Sequence, residues 1–208
     1  MEKFTIFAGI AAPLLRDNVD TDAIIPSRET QSVARTGYGD KLFANWRYTP
    51  GTRIENPDFV LNREPFRQAT ILISRDNFGC GSSREAAVWS LAQFGIRCVI
   101  AESFGNIFRN NCIRNGFLPV VLPADAVTTL AAQVEQGGDK TQVTVDLERC
   151  EVRAPDGQAW PFTIGALERE MLLEGLDEVA LTLKRRLEIE AFQARDRRSR
   201  PWIYALDR

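Results

Sequence analysis

The chain has 208 residues, 44% of them apolar and 26% charged, which is enough for one substantial core and short for two. A formal net charge of -2 and an isoelectric point near 5.4 give no overall attraction to nucleic acid or anionic lipid. No apolar run approaches the ~20 residues that span a bilayer, and the opening "MEKFTIFAGIAAPLL" does not read as a secretion signal, since an acidic residue stands at its front and no long apolar region follows. The expectation is a cytoplasmic protein with a single domain over residues 1–208.

In chain order, residues 17–68 are rich in Asp, Asn, Arg, Gly and Pro and show little sustained periodicity. A loop-rich stretch of that length in a compact chain is usually functional or partner-bound. From Thr70 the character changes. "TILIS" (Thr70 to Ser74) reads as a strand, Arg84 to Phe94 as a helix stopped by Gly95, and "RCVIAE" as the next strand. "SFGNIFRNNCIRNG" comes next as a helix stopped by Gly116, then "FLPVVL" as a strand, and Ala124 to Gln136 as a helix stopped by Gly137. This βαβαβα succession predicts a parallel sheet with helical crossovers at the centre of an α/β fold. "TQVTVDLERCEVRA" alternates with period two and predicts a β-hairpin or strand pair. The tail, 165–208, reads as helical, and from Lys184 to Arg208 it carries eight Lys/Arg against four Asp/Glu. With no aromatic pattern to stack bases, a solvated amphipathic helix is the reading, not a nucleic-acid arm.

Four cysteines, Cys80, Cys98, Cys112 and Cys150, form no CxxC pair and no zinc or iron-sulfur ligand pattern. Cys98 and Cys112 read as small core residues, and Cys80 alone is kept as a possible functional thiol. The chain has no histidine. That excludes Ser-His-Asp and Cys-His catalysis within it, and His-based metal sites.

One stretch concentrates chemistry: "DNFGCGSSREAA", from Asp76 to Ala87. A dinucleotide fingerprint would need Gly at Arg84, a Walker loop would need Lys after its last Gly, and a nucleophile elbow counted from Gly81 would need Gly at Glu85. None fits. Ser82 and Glu85 form an S-x-x-E capping box, a structural reading that would account for one serine. It leaves unexplained why two glycines, two serines and an arginine share one strand-to-helix turn. Such a turn, at the carboxyl end of a parallel strand, is where open α/β sheets bind ligands. Backbone N–H groups and the helix dipole favour an anion there, and Arg84 adds a fork for a carboxylate. A serine in that field can carry alkoxide character during catalysis.

Four segments together, "NVDTDAIIPSR" (Asn18 to Arg28), "RTGYGDKLFANWRY" (Arg35 to Tyr48), "DNFGCGSSREAA" and "SFGNIFRNNCIRNGFLPVVL", resemble the aconitase family, in its branch of 3-isopropylmalate dehydratase small subunits. The resemblance runs in order over roughly residues 2–192. It implies a swivelling β/β/α domain around the parallel βαβαβ core, like the aconitase C-terminal domain. The implied activity is a hydro-lyase that isomerises 2-isopropylmalate and 3-isopropylmalate in leucine biosynthesis. It also implies a large partner subunit carrying a [4Fe-4S] cluster, with no metal or cofactor held by this chain. The family's base falls on Ser82, its carboxylate contacts on Ser83 and Arg84 with Gly81 beside them, and Arg28, Glu29 and Thr30 are further substrate-side candidates. Asp20, Thr21 and Asp22 fall on a signature near the same face. They read equally as an Asx-type turn leading into an "AIIP" strand, and no chemistry is assigned to them.

The chain departs from the family pattern in two places. Ala86 stands where His is usual, and Glu29-Thr30 where an apolar or aromatic pair is usual. That pair lies in the loop associated with reading the substrate's side chain, and an isopropyl group calls for apolar walls. A related dehydratase for a methylmalate, dimethylmalate or homocitrate-like acid stays open on this ground, as does a non-catalytic binding module of the same fold. Against the module, Gly79, Gly81, Ser82, Ser83 and Arg84 all stand together.

Overall fold

The computed structural model describes residues 1–30, 36–138 and 142–204. Arg35, Thr141 and the last four residues of the tail lie outside them. The chain divides into two compact units, Met1–Gly175 and Leu176–Arg208.

The first unit contains two four-stranded sheets. One is parallel, in the order β2 (Ala11–Pro13), β3 (Ile71–Ile73), β4 (Cys98–Ala101), β5 (Leu118–Val121). The other is antiparallel, in the order β1 (Ile6–Gly9), β6 (Val143–Asp146), β7 (Glu151–Arg153), β8 (Ala159–Pro161). β1 and β2 are separated by Ile10 alone, so the chain changes sheets there; the Ile10 carbonyl accepts from the amides of Thr70 and Ile71 at 2.9 and 3.1 Å. Every residue of β3 and β4 is 0% exposed, as expected of parallel strands covered on both faces.

The helices arise from the same pattern. α1 (Thr21–Ile24) and α2 (Ala44–Arg47) are single turns in the loop-rich region; α3 (Glu85–Phe94), α4 (Asn106–Arg114) and α5 (Ala124–Gly137) come after β3, β4 and β5. α5 buries Ala126, Val127, Leu130, Ala131 and Val134, the spacing of one helix face, and packs against β2. α6 (Ala166–Glu174) is tied to α4 by Arg109 and Glu168, whose two parallel bonds are each 2.7 Å. The expected hairpin is β6 paired with β7, with Val145 opposite Val152.

Three expectations are corrected or refined. "AIIP" is not a strand: Asp20 caps a helical turn, its Oδ1 accepting the Ala23 amide at 2.7 Å, and Pro26, which has no N–H, precedes a 3-10 turn over Ser27–Glu29. Residues 17–68 have little regular structure, yet Ile24, Ile25, Leu42 and Phe43 are 0% exposed and join the core beside α3. Ser82 is not a helix cap. The N-cap of α3 is Arg84, with no side-chain bond to the helix, and Glu85 instead accepts from Asn115 Nδ2 at 2.9 Å.

The second unit consists of α7 (Glu178–Leu183), capped by Asp177, and α8 (Arg186–Ser199), which ends in a 3-10 turn. Asp196 closes that turn, accepting from Arg200 Nε at 2.6 Å and from the Tyr204 hydroxyl at 2.9 Å. Among the described residues no helix is long and apolar enough to cross a membrane.

Candidate active site

The carboxyl ends of β2, β3 and β4 run on into loops that stay side by side. Asp20 bridges Cys80 and Phe78 bridges Phe104, both in the parallel sense, so the sheet order continues beyond the strands. The Gly79 amide donates to the Val19 carbonyl at 2.7 Å, the Phe78 amide to that of Ser103 at 3.0 Å, and the Gly105 amide back to that of Phe78 at 2.9 Å. Gly79 has φ +75°, and a Cβ there would lie 2.2 Å from Cγ of Phe108, whose ring is itself buried. Only glycine fits, which is what lets the loop lie flat on α4.

On this base Gly81, Ser82 and Ser83 are exposed, and Arg84 is half-buried. The Ser82 carbonyl accepts from Thr21 Oγ1 at 2.8 Å and the Cys80 carbonyl from the Thr21 amide at 2.9 Å. Arg84 is held by Nη1 to Asp22 Oδ1 at 2.5 Å and to the Ile25 carbonyl at 3.3 Å, and by Nη2 to Ser27 Oγ at 2.9 Å. Ser27 closes the triangle by donating its hydroxyl to the same Asp22 oxygen at 2.7 Å. Hydrogen bonds from Ser27, and then from Arg84, hold the Asp22 carboxyl below the usual aspartate range, so that carboxyl is charged at neutral pH. No side chain caps α3; the Ala87 amide donates to the Arg84 carbonyl at 3.0 Å, and the Glu85 and Ala86 amides ahead of it are left for an anion. The arrangement is a braced loop that presents two serine hydroxyls and a helix start at the surface.

The profile of the aconitase C-terminal domain family matches residues 1–125, and that of LeuD_N matches residues 128–166. A relative from Cupriavidus necator, named 3-isopropylmalate dehydratase small subunit, is 56% identical over 98% of this chain and 99% of its own length. A second of that name, from Rhodospirillum centenum, is 52% identical over 97% and 98%. The chain belongs to the family of 3-isopropylmalate dehydratase small subunits. The solved structure of a 3-isopropylmalate dehydratase from Methanocaldococcus jannaschii is also similar, with a TM-score of 0.64 and 29% identity, covering 90% of this chain and 99% of that one. The sheets and crossovers seen here are thus those of the small-subunit fold.

The remaining candidates lie close to the braced loop's supports in sequence but face their own partners. Glu29 accepts from Arg53 Nη2 at 2.8 Å, with Arg28 Nε at 3.6 Å, and Thr30 donates its hydroxyl to the Ser27 carbonyl at 2.8 Å. Arg28 and Glu29 line a cleft of about 460 Å³ with Asn45, Tyr48 and Arg53. Ala86 is half-buried and packs against the core. Cys80 is pushed up by burial and by Asp20, which favours thiol over thiolate, and Cys98 and Cys112 are fully buried with their thiols raised by that burial. Sequence reading missed Thr21, Asp22 and Ser27 as partners of the serine loop. The one signal for them was the "DTD" signature, whose contacts span about sixty residues and leave no local periodicity.

Proposed function

We propose that this chain is the small subunit of a cytoplasmic hydro-lyase that interconverts 2-isopropylmalate and 3-isopropylmalate in leucine biosynthesis, assembled with a large subunit that holds a [4Fe-4S] cluster. The observation that carries the reading is the loop Gly81-Ser82-Ser83-Arg84, fixed from beneath by Thr21 and Asp22 and open above. In this family such a loop is half of a site. This chain's own residues do not fit the cluster. Among the described residues no three His, Cys, Asp or Glu side chains are grouped so as to hold a metal ion, and two of the four thiols are sealed in the core. The cluster and its Lewis-acid chemistry are therefore assigned to the large subunit, while carboxylate binding and proton transfer fall to this chain.

Ser82 Oγ takes the proton from the carbon α to a substrate carboxylate. The neighbouring carbon's hydroxyl leaves as hydroxide to give the alkene acid; hydroxide then adds to the carbon that lost its proton, and Ser82 gives the proton it holds to the carbon that lost its hydroxyl. The amides at the start of α3 and the Ser83 hydroxyl favour the carboxylate and the serine alkoxide. Arg84 is in a position to share its guanidinium between Asp22 and a substrate carboxylate, because its contacts use Nη1 and one hydrogen of Nη2 and leave Nε–H unengaged among the described residues.

Glu29 and Thr30 do not argue for a more polar substrate. Both polar groups are consumed by Arg53, Arg28 and the Ser27 carbonyl, so the polarity of the segment serves its own turn. The test is reconstitution. The purified chain alone should be colourless and inactive, and mixing it anaerobically with the large subunit should give turnover of isopropylmalate. Turnover by the isolated chain, or stoichiometric iron retained by it, would refute the division of labour; preference for a methylmalate would refute the substrate.

A further inference from the structure

Ser82 is exposed and its side chain has no partner among the described residues, so its placement must come from its backbone. That backbone hangs on one buried residue. Thr21 is 3% exposed and donates twice to the loop, its amide to the Cys80 carbonyl at 2.9 Å and its hydroxyl to the Ser82 carbonyl at 2.8 Å. The two acceptors flank Gly81, which has φ +88° and would otherwise be the most compliant joint in the loop. Thr21 is in turn immobilised. Asp20 caps the helical turn that Thr21 opens, the Thr21 carbonyl accepts the Ile25 amide at 3.0 Å, and Ile24 and Ile25 are 0% exposed. The rigid element ends at Thr21, and the compliant one begins at Gly81.

From this geometry we infer that Thr21 is a positioning residue for catalysis: its buried hydroxyl sets the direction of Ser82 by holding the Ser82 carbonyl across the Gly81 joint. The inference rests on Ser82 being the base. Thr21 touches no substrate. It acts by keeping Oγ in line with the carbon-bound proton, and displacing a reacting group by ~1 Å costs about 10²-fold in rate. Without the hydroxyl the Cys80 bond remains, so the loop stays attached while Ser82 turns about Gly81. The expected signature is a fall in kcat with KM nearly unchanged, because Arg84 keeps its own supports in Asp22, Ser27 and the Ile25 carbonyl.

The experiment uses the complex reconstituted with the large subunit. Thr21→Val should lower kcat by roughly 10- to 100-fold, with KM within about twofold and large-subunit affinity unchanged. Thr21→Ser, which restores the hydroxyl and loses only a methyl, should recover most of the rate; should Thr21→Val fold poorly, Thr21→Ala against Thr21→Ser makes the same comparison. In a Ser82→Ala background, Thr21→Val should cost nothing further, since it acts only through that serine. Equal kcat for Thr21→Val and wild type, equal loss in Thr21→Ser and Thr21→Val, or a full additional loss in the Ser82→Ala background would each overturn the inference. An active Ser82→Ala complex would instead overturn the reading of the base on which it rests.

Discussion

Two glycines two residues apart in the serine loop should respond very differently to alanine. Both have positive φ, +75° at Gly79 and +88° at Gly81, so either substitution carries the left-handed backbone cost of about 1–2 kcal/mol. The surroundings separate them. At Gly81 the nearest atom to an added Cβ is Asp20 Cβ at 3.5 Å, ordinary contact, whereas at Gly79 it meets Phe108 Cγ, Cδ1 and Cβ at 2.2, 2.4 and 2.6 Å. No ring rotation relieves this, because Phe108 Cβ is fixed by the α4 backbone. The loop and α4 must part, and overpacking of that kind adds roughly 1–3 kcal/mol. Gly79→Ala should therefore lose about 2–5 kcal/mol against about 1–2 for Gly81→Ala. In a unit of 175 residues this corresponds to a fall in Tm of roughly 4–20 °C against 2–8 °C, at about 2–4 °C per kcal/mol for domains of that size. Urea denaturation of the two full-length variants, monitored by circular dichroism, gives the comparison directly. Equal midpoints would refute the claim that Phe108, and not the turn alone, demands a glycine at 79.

Ser82→Ala should leave stability within about 0.5 kcal/mol of wild type, because the side chain caps nothing and is exposed, while kcat of the reconstituted complex falls by about 10²–10⁴; thermal melts and steady-state kinetics on one preparation check both halves. Arg84→Lys keeps the charge but cannot span Asp22 Oδ1, the Ile25 carbonyl and Ser27 Oγ at once, so KM should rise and kcat fall; unchanged kinetics would show that the fork matters to neither loop nor substrate. Glu168→Gln should cost about 1 kcal/mol at pH 7, since both partners are about three-quarters covered and bidentate. The Arg109 hydrogen bonds hold Glu168 below its ordinary value of 4.5, so the pair's contribution is fully present above that value and is lost as pH falls through the lower folded value. The urea midpoints of wild type and Glu168→Gln should thus converge as pH falls below the ordinary glutamate range, and a gap that does not narrow on acidification would refute the assignment.

Legibility in the sequence depends on whether the cause is local. "TILIS", "RCVIAE" and "FLPVVL" announce buried parallel strands by their apolar runs, and glycines stand within a residue or two of the helix ends, so these three strands of the central sheet are readable while β2 is not. The sheet change at Ile10 is not, because "FTIFAGIAAP" is apolar on both sides of it and hydrophobicity does not say which neighbour a strand will take. Ile24, Ile25, Leu42 and Phe43 were hidden for another reason: they are buried by short, separate turns, with no period to find. The capping box failed where a local rule met a tertiary one. Ser82 and Glu85 have the right spacing, but Thr21 holds the Ser82 backbone and Asn115 takes the Glu85 carboxylate, so the helix begins two residues later than the signature implies. The substrate-side loop hides a partner of the same kind, since Glu29 looks free in sequence and pairs with Arg53 from 24 residues away.

Exposure of Ser82 and Ser83 limits the rate that this chain's groups can produce unaided. A serine oxygen facing water gains little from neighbouring amides, since at ε near 80 a unit charge 4 Å away is worth about 1 kcal/mol, whereas the same amides in a closed, dry site act several-fold more strongly. Rigid support from Thr21, Asp22 and Ser27 fixes direction but cannot dry the site, and the loop has no cover among its own described residues. On the proposed function, covering is what the large subunit adds besides the cluster. The small subunit then supplies orientation that costs nothing at the moment of reaction, and closure supplies the low dielectric in which that orientation is effective. Loss of Thr21's hydroxyl and loss of closure should accordingly fail differently: the first lowers kcat in a fully assembled complex, and the second lowers activity in proportion to assembly, leaving the turnover of each closed complex intact.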